Sequence, residues 1–435
     1  MRRSSTGNRR AFLAKHRKDS GRPPGSGDRR FERPHRPAGL RAANHAGWVL
    51  ERIRPGSLSL DPDELVAAAR HRTSLDDLDL TRSARGTYVA PLHALTGALD
   101  DEARLTPAGR YFAREQVITS LSNRLALTEV LSSDPEIAGQ ELAPALVIVG
   151  LPRSGTTFLQ HLLARDPAHR VLHHWEASRP AAPRSPAADE AAQRATDRSL
   201  RLLDYLAPDA RVLHPVDTRE ATECVTLFSN SLASLELATM HQIPSYLRWC
   251  LGDDLHAAYA EYALQLQVLQ SRERRARWLL KSPAHLFWVD RLLEVLPGAI
   301  VVQIHRDPLE VLGSFCSLSA VLSGIGSDDV DPGAIGTAWA PTWAEGLDRM
   351  ASTRARWPQS QFVDVDYSAL LADPLGIVER VYERCDAELT DLARVRMAQF
   401  LSSHVQHAGG VHRYSLDQFG LDPDQEAARF ATFRA

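Results

Sequence analysis

Ala145-Leu-Val-Ile-Val-Gly-Leu-Pro-Arg-Ser-Gly-Thr-Thr157 is the stretch that decides the fold. Its first five residues form a short apolar run rich in β-branched side chains, bounded by Pro144 and Gly150. Such a run suits a strand buried on both faces of a parallel sheet. Gly150 and Gly155 let the backbone curl so that its N–H groups point inward. Thr156–Ala164 then reads as a helix, with Phe158, Leu159, Leu162 and Leu163 on one side. A glycine-rich turn running into a helix N-terminus makes an anion cradle. The turn is nearly the P-loop pattern G-x-x-x-x-G-K-[ST], but Thr156 takes the place of the lysine. ATP with magnesium therefore suits it poorly, and a phosphate ester whose reacting end lies elsewhere suits it better.

Outward from this stretch, further strands are expected at Trp278–Leu280, Ile300–Ile304 and Phe362–Val365, with helical segments between them. Strand–helix alternation predicts an α/β fold: a P-loop-like three-layer sandwich with a central parallel sheet. Residues 41–140 read as a helical N-terminal region. There Ala42–Ile53 is amphipathic, Pro62-Asp63-Glu64 opens a helix, and Tyr111–Leu131 has apolar residues at helical spacing. The sandwich takes 141–435, with a helical insertion at about 177–275. Ala177–Ala192, with three prolines in its first ten residues, reads as a loop or linker; Asp197–Leu206 and Leu255–Gln270 read as helices.

The net charge of −3 conceals an asymmetry. Residues 1–40 carry twelve basic and three acidic side chains, net +9, and have little to bury; a disordered basic tail is expected there. The tail is read as solvated, and no nucleic-acid partner is expected. No run of eighteen apolar residues and no secretory leader is seen. Cys224, Cys250, Cys316 and Cys385 have no metal-ligand spacing and read as reduced core thiols, which implies a cytoplasmic protein. No HExxH or clustered Cys/His site occurs, so no metal is expected.

Two more motifs fall at expected strand ends, where α/β sheets bind ligands. His305-Arg306-Asp-Pro308 precedes a helix carrying Ser314, with Asp307 a good N-cap and Pro308 suited to the first helical position. Leu280-Lys281-Ser-Pro283 holds the only lysine outside the tail, the others being Lys15 and Lys18. In a chain with 51 Lys and Arg, that rarity favours a role arginine would not fill.

Together these three motifs resemble those of the sulfotransferases that use 3′-phosphoadenosine 5′-phosphosulfate (PAPS), bacterial members above all and the tyrosylprotein sulfotransferases more distantly. The likeness covers Leu146–Leu318, and weakly Val365–Leu370 and Gly410–Tyr414. It implies that Arg153, Ser154, Gly155, Thr156 and Thr157 hold the 5′-phosphosulfate, and that Arg306 and Ser314 hold the 3′-phosphate. Tyr367 would approach the nucleotide, and His412-Arg413-Tyr414 would close a flap over it. The product nucleotide would be 3′-phosphoadenosine 5′-phosphate (PAP).

Sulfuryl transfer to a hydroxyl is an in-line displacement dominated by positioning and charge stabilisation. Lys281 and Arg153 are the candidates to meet charge growing on the departing phosphate. For the general base, the tyrosylprotein enzymes favour Glu176, whereas a histidine in the cytosolic sulfotransferases keeps His173 and His174 in play. Glu223 is a candidate for lining the acceptor pocket. The acceptor is a small molecule, lipid or carbohydrate with a hydroxyl; oligomeric state is not legible. Rival readings are a P-loop-type nucleotide kinase and a non-catalytic PAP-binding protein.

Overall fold

The computed structural model describes residues 37–54, 56–81, 86–182, 185–213, 216–403 and 415–433. Five strands are present: β1 (Ala145–Gly150), β2 (His169–Val171), β3 (Arg277–Lys281), β4 (Ile300–His305) and β5 (Phe362–Asp366). All pair in parallel, in the order β2-β3-β1-β4-β5. The chain leaves β1 to one side for β2 and β3, then crosses to the other for β4 and β5. β1 therefore marks the reversal point, and the crevice beyond its carboxyl end is where open α/β sheets take ligands.

The central strand β1 is apolar and buried along its whole length because both faces of the sheet are covered. Val147, Val149, Leu280 and Val301 point into one core, and Leu146, Ile148, Leu279 and Val302 into the other. The expected three-layer sandwich is thus the observed architecture.

The N-terminal helical region shares the larger core rather than building its own. Leu92 and Leu95 of the helix Val89–Asp101, and Val117, Leu121 and Leu125 of the helix Pro107–Ser133, join the cluster that holds Val147 and Leu280. A fully buried ion pair ties this region to the insertion: Arg124 donates to both oxygens of Glu261, at 2.6 and 2.5 Å. Arg124 Nε also donates to the Leu78 carbonyl at 2.5 Å, so most of its guanidinium is satisfied locally.

The expected loop at 177–192 requires correction. A helix runs from Pro186 to Leu206, capped by Ser185, whose hydroxyl accepts from the Ala188 amide at 3.2 Å. Pro186 starts this helix because its missing N–H would have had no partner in the first turn. After it the sequence is alanine-rich, which favours helix over loop. The helix Pro308–Gly326 after HRDP is long and apolar enough to cross a membrane, yet 78% of its most apolar window is buried within the fold. It is a core helix.

Candidate active site

The carboxyl ends of β1, β3, β4 and β5 converge on the Gly150–Thr157 turn. Gly155, at φ +95°, caps the helix Thr156–Leu163, and Arg153 is held in the left-handed region at φ +69°. The turn tolerates no larger residue at 155. A Cβ there would stand 2.8 Å from the Tyr367 ring, which packs over the loop from the end of β5. Ser154 is fully buried, and its Oγ has no hydrogen-bond partner. An orphaned buried hydroxyl beside a helix N-terminus suits an anion with oxygens to spare. The residues present therefore fit a phosphate-bearing nucleotide.

One flank is built by β4 and β5. Arg306 Nη1 donates to the Arg153 carbonyl at 2.8 Å, and its guanidinium lies over the Tyr367 ring, 4.1 Å from the centroid. Arg306 Nε also donates to Glu310 at 3.1 Å. Arg153 Nε in turn donates to Ser314 Oγ at 3.3 Å. Arg153, Arg306, Ser314 and Tyr367, distant in sequence, thus form one connected cationic cluster. Asp307 caps the following helix by accepting from the Leu309 amide at 3.0 Å, and this fixes where Ser314 points.

The other flank is built by β3. Lys281 is 1% exposed, and its Nζ donates to Thr157 Oγ1 at 3.1 Å and to Glu223 Oε1 at 2.5 Å. Backbone hydrogen bonds hold this arrangement: Cys224 N–H donates to the Lys281 carbonyl at 2.9 Å, and Ser282 N–H to the Ile148 carbonyl at 3.2 Å. A single ammonium therefore touches both the anion turn and a carboxylate on the insertion.

The other candidate bases sit differently. Glu176 is buried, with Arg170 donating to its two oxygens at 2.9 and 2.7 Å, and it also accepts from the His173 amide at 3.3 Å. The geometry makes it the cap of the helix His174–Ser178. His174 Nδ1 lies 3.3 Å from Thr222 Oγ1, one residue from Glu223, and burial holds the imidazole below its usual pKa. The flap residues His412, Arg413 and Tyr414 lie outside the described residues.

Sequence reasoning passed over several groups nearby. Two residues past Glu223, Val225 opens an apolar hollow shared with Phe228, Leu235, Tyr259, His285 and Trp288. His285 Nδ1 is 2.8 Å from the Tyr259 hydroxyl, and burial lowers its pKa to about 3. Glu236 accepts from Ser229 Oγ at 2.8 Å; burial raises its carboxyl, and the Glu223 charge adds to the rise. The LKSP motif was two residues from His285, but nothing in its spacing shows that the imidazole turns into the hollow. Among the described residues, no group of three His, Cys, Asp or Glu side chains is arranged to hold a metal ion.

A parallel sheet with a lysine-free P-loop-like turn, and with a lysine and an arginine delivered beside it from neighbouring strand ends, defines a nucleotide-dependent group-transfer site. The chain belongs to the sulfotransferase family, whose profile its residues 144–391 match, and it is a sulfotransferase. It is 24% identical over 295 residues to omega-hydroxy-beta-dihydromenaquinone-9 sulfotransferase Stf3 of Mycobacterium bovis, covering 63% of this chain and 71% of that one. The same figures hold for Stf3 of Mycobacterium tuberculosis. The fold matches the crystal structure of sulfotransferase STF1 from Mycobacterium tuberculosis H37Rv at a TM-score of 0.74, with 33% identity over 85% of this chain and 98% of the other. Sulfotransferase STF9 from Mycobacterium avium gives 0.75, with 26% identity over 85% and 95%.

Proposed function

We propose that this sulfotransferase takes PAPS as donor and a hydroxyl on an apolar, lipid-like molecule as acceptor. The observation that carries the reading is the placement of Lys281 between Thr157 and Glu223. The turn and Arg153 bind the 5′-phosphate, while Arg306 and Ser314 take the 3′-phosphate that sets PAPS apart from ordinary nucleotides. As the bridging S–O bond lengthens, Lys281 meets the charge growing on the departing phosphate, in a site too buried for water to do so.

Glu223 takes the acceptor's proton. It is the partly exposed carboxylate in contact with Lys281, whereas both Glu176 oxygens are committed to Arg170. An apolar acceptor is supported by the hydroxylated menaquinone named for the Stf3 relatives. A reducing, cytoplasmic setting belongs to the same proposal: all four cysteines are free, and burial pushes the Cys224 thiol up to about 11.

The test is turnover of sulfur-labelled PAPS against paired acceptors, each a hydroxylated polyprenyl quinol beside its water-soluble, short-chain counterpart. Label transfer that favours the long-chain alcohol is the expected result. Transfer to the soluble alcohol alone would remove the lipid assignment while leaving the donor assignment intact.

A further inference from the structure

Soluble folds expose single apolar side chains everywhere, but they rarely gather them on one element. Here they are gathered. Among the described residues ten large apolar side chains are exposed, and four of them stand on one helix, Ala38–Ile53: Trp48 at 61%, Val49 at 43%, Leu50 at 44% and Ile53 at 77%. Three more stand on its two neighbours. Tyr111 is on the helix Pro107–Ser133, against which Gly47 packs so closely that a Cβ would fall 2.4 Å from Pro107. Leu202 and Tyr205 are on the helix Pro186–Leu206, where the Tyr205 hydroxyl meets Gly39.

The helix is anchored by its other side. Leu40 is buried, and the Asn44 carboxamide oxygen accepts from the Ala108 amide at 3.0 Å. At 100° per residue, Leu40, Asn44, Gly47 and Glu51 face the protein, and Val49 and Ile53 point directly away.

Charge on the helix is also sorted. Its one acidic residue, Glu51, is turned back into the protein, where it accepts from Ser57 Oγ at 2.9 Å and from the Leu58 amide at 2.8 Å. Arg41, Arg52 and Arg54 are exposed. The 36 residues just before the helix carry twelve basic and three acidic side chains. An apolar face with an exposed tryptophan, edged by arginines and joined to a cationic segment, has the composition of a helix that lies in the interface of an anionic membrane.

We infer that Ala38–Ile53 docks the protein on an anionic lipid bilayer, with Val49, Ile53 and Trp48 entering the headgroup boundary and the neighbouring arginines pairing with lipid phosphates. This inference does not depend on which acceptor is sulfated. It makes the protein peripheral, held through a surface rather than a spanning segment.

The test is flotation of the full-length protein with vesicles of phosphatidylglycerol and phosphatidylcholine in equal parts, and with phosphatidylcholine alone. Flotation is expected with the anionic vesicles, weakened by added salt and reduced at least tenfold in Val49→Ser/Ile53→Ser. Both positions are exposed, so that variant should keep the thermal midpoint of the parent. The control, Leu392→Ser/Val395→Ser, removes an exposed apolar pair elsewhere on the surface and should float like the parent. Flotation that is absent, or equal in all three proteins, overturns the inference. So does light scattering that shows a dimer dissolved by Val49→Ser/Ile53→Ser, since a second copy would then cover this face.

Discussion

Lys281 and Glu223 come from elements 58 residues apart, and their charged atoms lie 2.5 Å apart at the end of β3. The same ammonium reaches Thr157 at 3.1 Å, so donor turn and insertion meet at one nitrogen. Replacing it should separate chemistry from binding. Lys281→Ala is expected to lower kcat by roughly 10²–10³, the range for losing one donor to a developing charge, with PAP affinity little changed. Single-turnover kinetics beside PAP calorimetry checks this; near-normal turnover would take Lys281 out of the mechanism.

Arg306 bonds the Arg153 carbonyl and stacks on Tyr367, which places it on the flank assigned to the 3′-phosphate. Arg306→Ala should weaken PAP binding about tenfold or more, as expected for a lost charge-assisted contact, and adenosine 5′-monophosphate far less. Equal losses for the two nucleotides would refute the assignment.

The two glutamates should behave oppositely. Glu176→Gln breaks a buried pair with Arg170 and is expected to cost about 3 kcal/mol or more in denaturant titration, while its pH–rate profile keeps its shape. Glu223→Gln should leave the denaturation midpoint closer to the parent but lower kcat by about 10²–10⁴ and flatten the profile. A flattened profile in Glu176→Gln with an unchanged one in Glu223→Gln would reverse the choice of base.

His285 contributes a pH term to stability. Its folded pKa of about 3 lies below the ordinary imidazole value of 6.5, with burial the cause. Above 6.5 both states are neutral and the term is absent. As pH falls from 6.5 towards 3 only the unfolded chain takes up the proton, so stability drops by up to about 1.4 kcal/mol per pH unit. Unfolding free energies between pH 7 and 4 should therefore fall less steeply in His285→Gln than in the parent. Parallel curves would show that the imidazole is accessible in the folded state.

How much of this was legible in the sequence follows from how local each signal is. The β1 turn, LKSP and HRDP each unite a strand end with its candidate ligand residues inside a few positions, and the parallel sheet and the candidate site could be reasoned from them. The partners of those residues were less legible, because they are set by tertiary packing. Arg170 was not singled out, since nothing in its spacing says that it fills both oxygens of Glu176. Glu261 lies 137 residues from Arg124, beyond any periodicity, so the N-terminal helices read as a separate region although they share a core with the sheet. The second half of the helix Pro186–Leu206 is legible as Asp197–Leu206, but its start is not, because Pro186 counts as a loop signal in the sequence and is the first helical residue in the fold.

The most direct test of the donor assignment is calorimetric titration of the purified protein with PAP, and with ADP plus magnesium for comparison. The expected result is micromolar PAP binding without metal, with ADP clearly weaker, because the turn lacks the P-loop lysine and the proposed role of Arg306 and Ser314 is to take a 3′-phosphate that ADP does not carry. Tight binding of magnesium–ADP with no preference for PAP would contradict it.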